Sequence, residues 1–330
     1  MFKVLFFNVG QGDSIVLEWE ENGISYLGII DCKNNNGLNP VLDFLVANPK
    51  HIVKFIVLSH FHDDHFSGYS ELFNYCLNAN RGTEYFIHTI QPVTGQIYNK
   101  IFTSQKLQNA VKNFILSLDA FDPLINNVVM AQVGHAPINL TSSVKLLIHA
   151  PTGKTYHTLT KQISRKVNVK PATRADINQL ATILEISNEG KFILLTSDAI
   201  KKGFRNLSNK LNVGQCVLAQ APHHGSNYNL REKFWEKLNR VDACPIVFSV
   251  GDEPQDKLPD FYTVDFFRKE GYDIHSTNCV YGINQVFSCG ISKSSSLSLG
   301  AFSRLRSSSI LGTGVSKYSG DQIFQVFNQP

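Results

Sequence analysis

Residues 59–68 read SHFHDDHFSG, so three of the chain's 11 histidines and two aspartates fall within six positions. The cluster follows directly on the apolar run Phe55-Ile56-Val57-Leu58. A short apolar run of this kind reads as a buried strand, and here it ends at the histidines. His60 and His62 alternate in an extended segment, so both imidazoles can point the same way. Asp64 and His65 lie one turn further on, where the chain enters a helix. Four ligand-type side chains on a strand-to-helix turn can hold two cations a few ångströms apart. Two cations need more donors than four, so the fold has to bring further ligands to the end of this strand.

The remaining pattern supplies strands that end in such residues. Strands are expected at 2–9, 14–19 and 24–31, separated by the turns GQGD and EENG. A helix at 38–47 precedes the strand at 54–59, and a second helix is expected at 66–79. From about 90 to 175 the sequence is less regular. It does carry an amphipathic helix at 105–118, with Leu107, Val111, Phe114, Ile115 and Leu118 on one face. Strands return at 144–149, 180–187 and 191–196. A helix at 199–210, a strand at 216–220, a helix at 230–239, a strand at 245–250 and a helix at 260–269 follow. Strands first, then alternating strand and helix, predict an α/β architecture of two sheets flanked by helices.

Asp198 closes the strand FILLTSD, where one carboxylate can bridge two ions, and His223 and His224 follow the strand CVLAQ. Asp31 ends LGIID and can orient the cluster from behind. Two glycine-rich stretches are turns rather than phosphate loops. APTGKT has Ile148 where the phosphate-loop spacing requires glycine, and GQGD lacks the dinucleotide-loop spacing.

Together the stretches FFNVGQGDSIVLE, GIIDC, LSHFHDDHFSG, LLTSD and PHHGS resemble the metallo-β-lactamase superfamily, and within it the ComEC-like hydrolases. The resemblance spans about residues 2 to 282. It implies a four-layer αββα sandwich of two mixed β-sheets flanked by helices. Residues 1–282 would form the hydrolase domain, with a partly basic insertion at about 90–175, and residues 283–330 a Ser-rich extension. It also implies two divalent metal ions, Zn²⁺ favoured over Mn²⁺. His60 and His62 would hold the first, and Asp64 and His65 the second. Asp198 would bridge them. The first histidine of the H-x-G-[ST] element serves as ligand in the superfamily, which favours His223 for the second site and leaves His224 to touch the substrate. Asp64, Asp198 and His224 are the expected catalytic residues. A further first-site histidine common in the superfamily has no counterpart at the expected place. His149, His135, Asn178 or water are the alternatives there. A lysine often found two residues before the PHHGS element is replaced by Gln220 and Ala221.

A dinuclear site of this kind lowers the pKa of water from about 15.7 toward ~7. The expected activity is therefore hydrolysis by a metal-activated hydroxide, without a serine or cysteine nucleophile. Lys154, Lys161, Arg165, Lys166, Lys170 and Arg174 lie between 154 and 174 with no acidic residue among them. With the ComEC-like motifs they favour a phosphodiesterase or nuclease acting on DNA, RNA or a smaller nucleotide. The alternatives are a thioester, lactone or lactam hydrolase of the same fold, and a non-catalytic binding protein. A formal charge of +4 is too mild to argue for nucleic acid by itself. The six dispersed cysteines contain no C-x-x-C pair and are expected as buried thiols in a cytoplasmic protein. No apolar run reaches membrane-spanning length, so no membrane is expected as a partner. Protein partners are not specified by the sequence.

Overall fold

The computed structural model describes residues 2–89, 104–164, 177–207, 214–251, 257–278 and 320–327, with the single residues 102, 211 and 283. Among them the strands are β1 (Phe2–Phe6), β2 (Ser14–Glu21), β3 (Ile24–Cys32), β4 (Ile52–Leu58), β5 (Thr83–His88), β6 (Ile125–Met130), β7 (Ile138–Asn139), β8 (Lys145–Ala150), β9 (Ile183–Asn188), β10 (Lys191–Leu195), β11 (Gln215–Gln220), β12 (Pro245–Phe248), β13 (Asp273–Ser276) and β14 (Gln322–Phe327). The helices are α1 (Pro40–Ala47), α2 (Asp63–Phe66), α3 (Tyr69–Asn78), α4 (Gln105–Phe121), α5 (Gly153–Ser164), α6 (Glu232–Trp235) and α7 (Phe261–Lys269).

The strands form two seven-stranded sheets, ordered β14-β1-β2-β3-β4-β5-β6 and β13-β12-β11-β10-β9-β8-β7. Both are mixed: β1 to β3 are antiparallel neighbours and β3 to β6 parallel ones. In the second sheet β7 to β10 are antiparallel and β10 to β13 parallel. Side chains alternate faces along a strand, and three apolar clusters follow. On β4, Phe55 and Val57 join the cluster between the sheets, while Ile56 and Leu58 join the cluster beneath α1, α3 and α4. On β10, Ile193 and Leu195 face the other sheet, while Phe192 and Leu194 pack with Trp235 and Phe267 of α6 and α7. The result is helix, sheet, sheet, helix, with a two-sided apolar pattern on the central strands. Trp19 stacks on Phe2 at 5.4 Å and Tyr26 at 5.7 Å within the inter-sheet core. Gly28 is required beside it, because a Cβ there would lie 2.1 Å from the Phe55 ring.

Several elements differ from the sequence expectation. Of the helix expected at 199–210, the described residues 199–207 carry a 3₁₀ turn at Gly203–Asn206 and residues 208–210 lie outside the described residues, while the helix expected at 230–239 is the single turn α6. The helix expected at 66–79 is two pieces, α2 and α3. The irregular stretch from 90 to 175 contains strand β6 and helix α5. Residues 322–327, placed by the sequence in the extension beyond 282, pair antiparallel with β1 as the edge of the first sheet. Among the described residues no helix is long and apolar enough to cross a membrane.

The edge strand carries a pH-sensitive anchor. The Asn8 N–H donates to Asp321 Oδ1 at 2.8 Å, while Asp321 Oδ2 is buried without a hydrogen-bond partner among the described residues. Burial raises this carboxyl to about 7, against the pull of the Asn8 amide. A carboxyl raised in the folded state costs stability as pH climbs through the interval between about 4 and 7. Asp321→Asn should therefore stabilise the protein at pH 8 by about 2 kcal/mol, once residual solvent exposure is allowed for. The gain should vanish near pH 4. Thermal melts of both proteins at the two pH values check this, and a gain independent of pH would exclude it.

Candidate metal centre

Four parallel strands deliver their carboxyl ends to one rim, and each is followed by a polar turn. β3 ends in Asp31-Cys32, and β4 leads through Ser59 to His60 and His62. β10 leads through Thr196 and Ser197 to Asp198, and β11 to the Pro222-His223-His224-Gly225 turn. Asp31, Ser197, His223 and His224 all have positive φ, at 57°, 45°, 47° and 53°. Left-handed backbone costs an L-residue roughly 1–2 kcal/mol, and such strain concentrates at functional sites. Gln220 holds the β10 turn in place: its Oε1 accepts the amides of Thr196 at 3.0 Å and Ser197 at 2.9 Å. The two sheets are tied at the rim by Ser197 Oγ donating to Ser59 Oγ at 2.8 Å and Thr182 N–H donating to Ser59 O at 3.1 Å.

Among the described residues three groups of donor atoms lie within 4.8 Å of one another: His60, His62 and Asp198 in the first, Asp64, His65, Asp198 and His224 in the second, and Asp13, Asp31 and His65 behind the second. Asp198 belongs to the first two through different oxygens. Its Oδ2 is 3.6 Å from His60 Nε2, and its Oδ1 is 3.5 Å from His65 Nε2 and 3.3 Å from His224 Nε2. Asp64 Oδ2 is 3.6 Å from His224 Nε2 and 3.9 Å from His65 Nε2. His60 Nε2 and His62 Nδ1 are 3.1 Å apart. Donors about 2.0–2.1 Å from one tetrahedral ion lie about 3.4 Å from each other, so these spacings fit cations. The chemistry of the atoms fits as well. Asp64 Oδ1, His65 Nε2, Asp198 Oδ1 and His224 Nε2 are buried without a hydrogen-bond partner among the described residues. Such orphaned groups are expensive unless something else satisfies them.

The outer nitrogens are fixed. His65 Nδ1–H donates to Asp31 Oδ2 at 2.7 Å, and Asp31 also accepts from the Ser59 amide at 2.8 Å and hydroxyl at 2.6 Å. His224 Nδ1–H donates to Ser249 O at 2.8 Å. In both rings this leaves the Nε2 lone pair for a ligand.

Charges within the cluster are strongly coupled. Burial lowers His60 to about 4, assisted by His65. Burial works against ionising Asp64 and Asp198, yet the neighbouring imidazoles hold both carboxyls below the usual range. Burial likewise opposes charge on His224, but Asp198, Asp64 and Asp13 lift it to about 9. His65 is raised well above its ordinary value, because Asp31, Asp198 and Asp64 outweigh its burial.

The structure brings His60, His62, Asp64, His65 and Asp198 together, with Asp31 behind His65. Of the PHHGS pair, His223 is the ligand expected from the sequence. His224, not His223, reaches the group containing Asp64 and His65. Two consecutive left-handed residues turn the His224 ring inward, where Ser249 pins it. His223 keeps a side-chain exposure of 28%, with Nε2 3.3 Å from Asp198 Oδ2, on the His60 side. Its Nδ1–H donates to Asn229 Oδ1 at 3.0 Å, while the Asn229 amide donates to Asp198 O and Ala199 O. Asn178 stands beside the first group, its Nδ2 3.5 Å from both Asp198 Oδ2 and His223 Nδ1. His135 is exposed and bonded to Ala136 O, and His149 is bonded to Glu185 at 2.8 Å, so neither joins a donor group. Lys154 and Lys161 are exposed on α5, whereas Arg165, Lys166, Lys170 and Arg174 lie outside the described residues.

Three participants had no assigned role in the sequence. Asn229 and Ser249 act through hydrogen bonds that no spacing advertises. Asp13, within GQGD, was visible as part of a motif. It is buried, its Oδ2 lies 3.6 Å from His65 Nδ1, and burial raises its pKa. Gly12 allows this approach, since a Cβ there would meet Asp64 O at 2.4 Å.

No known family and no curated protein matches the chain. Solved structures similar to it include the metallo-β-lactamase fold protein YhfI from Bacillus subtilis, at 10% identity, 84% of this chain, 95% of that one and TM-score 0.42. Zn²⁺-bound PqqB from Methylobacterium extorquens is similar at 7% identity, 84% of this chain, 98% of that one and TM-score 0.45. A diphosphatase from the PhnP family is similar at 12% identity, 83% of this chain, 94% of that one and TM-score 0.40.

Protonated His65 and His224 compete with a cation for the same Nε2 atoms. Zinc uptake by the metal-free protein should therefore release protons, and affinity should rise with pH through the deprotonation of His224 near 9. Calorimetric titration in buffers of different ionisation enthalpy measures the release. Uptake at pH 7 without proton release would contradict these charge states.

Proposed function

We propose that the chain is a metal-dependent phosphodiesterase of the ComEC-like group, acting on nucleic acid or a smaller nucleotide in the cytoplasm. The observation that carries this reading is the division of Asp198 between two donor groups, one on each carboxylate oxygen. His60, His62 and Asp198 Oδ2 would hold one divalent cation, and Asp64, His65, His224 and Asp198 Oδ1 the other. The imidazole-rich donor set favours Zn²⁺, with Mn²⁺ as the alternative. Bound there, such ions supply Lewis acidity and water activation.

The chain's own residues do the rest. Asp31 and Ser249 hold the His65 and His224 rings with Nε2 directed inward. Asp198 keeps the two halves of the centre at a fixed separation, because its backbone carbonyl is tied to Asn229 and the preceding residues to Gln220. His223, partly exposed and oriented by Asn229, would reach the departing oxygen of the substrate and give it a proton. The ComEC-like motif set and the cations between 154 and 174 support a phosphodiester over a neutral ester. The buried free thiols of Cys32, Cys76, Cys216 and Cys244 support a reducing compartment.

Elemental analysis of the purified protein, paired with turnover of bis-p-nitrophenyl phosphate, tests the reading. Asp198→Asn should lower kcat/KM by about a hundredfold or more, because a neutral amide bridges two cations poorly at nearly the same shape. Turnover at the parental rate would reduce Asp198 to a strand-end cap. His224→Ala should lose metal as well as activity, whereas His223→Ala should keep its metal and lose kcat. The reverse pattern would restore His223 as the ligand.

A further inference from the structure

Beside the first donor group the structure contains a cavity of about 240 Å³, lined among others by His149, Thr152, Thr155, Asn178, Lys202 and Arg205. We propose that this cavity is a subsite for a second phosphate of the substrate, adjoining the one that is attacked. The proposal rests on the phosphodiesterase reading and specifies the substrate further: a molecule carrying at least two phosphates.

Four observations converge on it. Asn178 belongs to both places, since it lines the cavity and its Nδ2 lies 3.5 Å from Asp198 Oδ2. The residue is only 6% exposed, and its Nδ2 is the donor it can offer an anion. A ligand group in the cavity would therefore lie next to a group held at the centre. The lining carries the cations Lys202 and Arg205 and no carboxylate. Neither cation forms an ion pair with a described residue, so both are available to an anion. Glu185, behind the lining, is engaged by His149 Nε2 at 2.8 Å.

The first turn of α5 also opens onto the cavity. Thr152 Oγ1 accepts the Thr155 amide at 3.1 Å, and both residues line the space. The amino end of a 12-residue helix adds positive potential there. Finally, the volume falls below the roughly 300–1,000 Å³ of pockets that take a whole small molecule. It suits one compact anionic group rather than a nucleoside.

The test uses the full chain with Lys202→Ala and Arg205→Ala combined, both positions being exposed. Two readouts are taken: calorimetric titration with inorganic pyrophosphate, and kcat/KM for the p-nitrophenyl ester of thymidine 5′-phosphate with and without a 3′-phosphate. Losing two charge-assisted contacts should weaken pyrophosphate binding about tenfold or more. The preference for the 3′-phosphorylated ester should shrink by a similar factor, and the charge-keeping Arg205→Lys variant should retain both. Loss on the ester pair points to nucleic acid as the source of the second phosphate. Loss on pyrophosphate alone points to a nucleoside polyphosphate. The subsite is overturned if the double variant leaves both readouts unchanged, or lowers both esters equally with pyrophosphate binding intact. If the parent cleaves neither ester, the phosphodiesterase reading fails, and the pyrophosphate titration still decides the subsite.

Discussion

The rim of this molecule depends on one carboxylate. Asp198 is 1% exposed and has imidazole nitrogens within 3.6 Å of each of its two oxygens. Burying a carboxylate and four histidines in one place is costly unless their charges and lone pairs are used. The fold appears around this point as a consequence of strand direction. β3, β4, β10 and β11 run parallel within their sheets, and their carboxyl ends meet where Ser59 and Ser197 join the two sheets. The apolar layers beneath give the turns a rigid base, which permits four left-handed residues at the rim.

Much of this was legible in the sequence because it depends on pattern. Phe55-Ile56-Val57-Leu58 and Phe192-Ile193-Leu194-Leu195 are apolar on both faces, as central strands of a layered sandwich must be. The spacing of His60, His62, Asp64 and His65 encodes their convergence, since extended backbone aligns the first pair and a helical turn the second. Asp31 and Asp198 were readable as strand-end carboxylates.

What was not legible depends on backbone conformation and on distant partners. His223 and His224 are adjacent and chemically identical. Only their left-handed φ values and the hydrogen bonds to Asn229 and Ser249 decide which ring turns inward. Gln220 looks like a departure from a lysine pattern, yet its side chain caps the turn that carries Asp198. Strand β14 comes after a long serine-rich stretch, and its pairing with β1 is a contact across more than 300 residues that local pattern does not register. Within the described part of the helix expected at 199–210, residues 203–206 form a 3₁₀ turn that lies against the second sheet, with Phe204 and Leu207 buried.

The proposal that two cations share Asp198 is addressed directly by anomalous diffraction at the zinc edge from crystals of the zinc-loaded protein. The account predicts two peaks on opposite sides of the Asp198 carboxylate. One should lie within about 2.0–2.1 Å of His60 Nε2 and His62 Nδ1, and the other at the same distance from His65 Nε2 and His224 Nε2. A single peak, or a second peak held by His223 in place of His224, would contradict it.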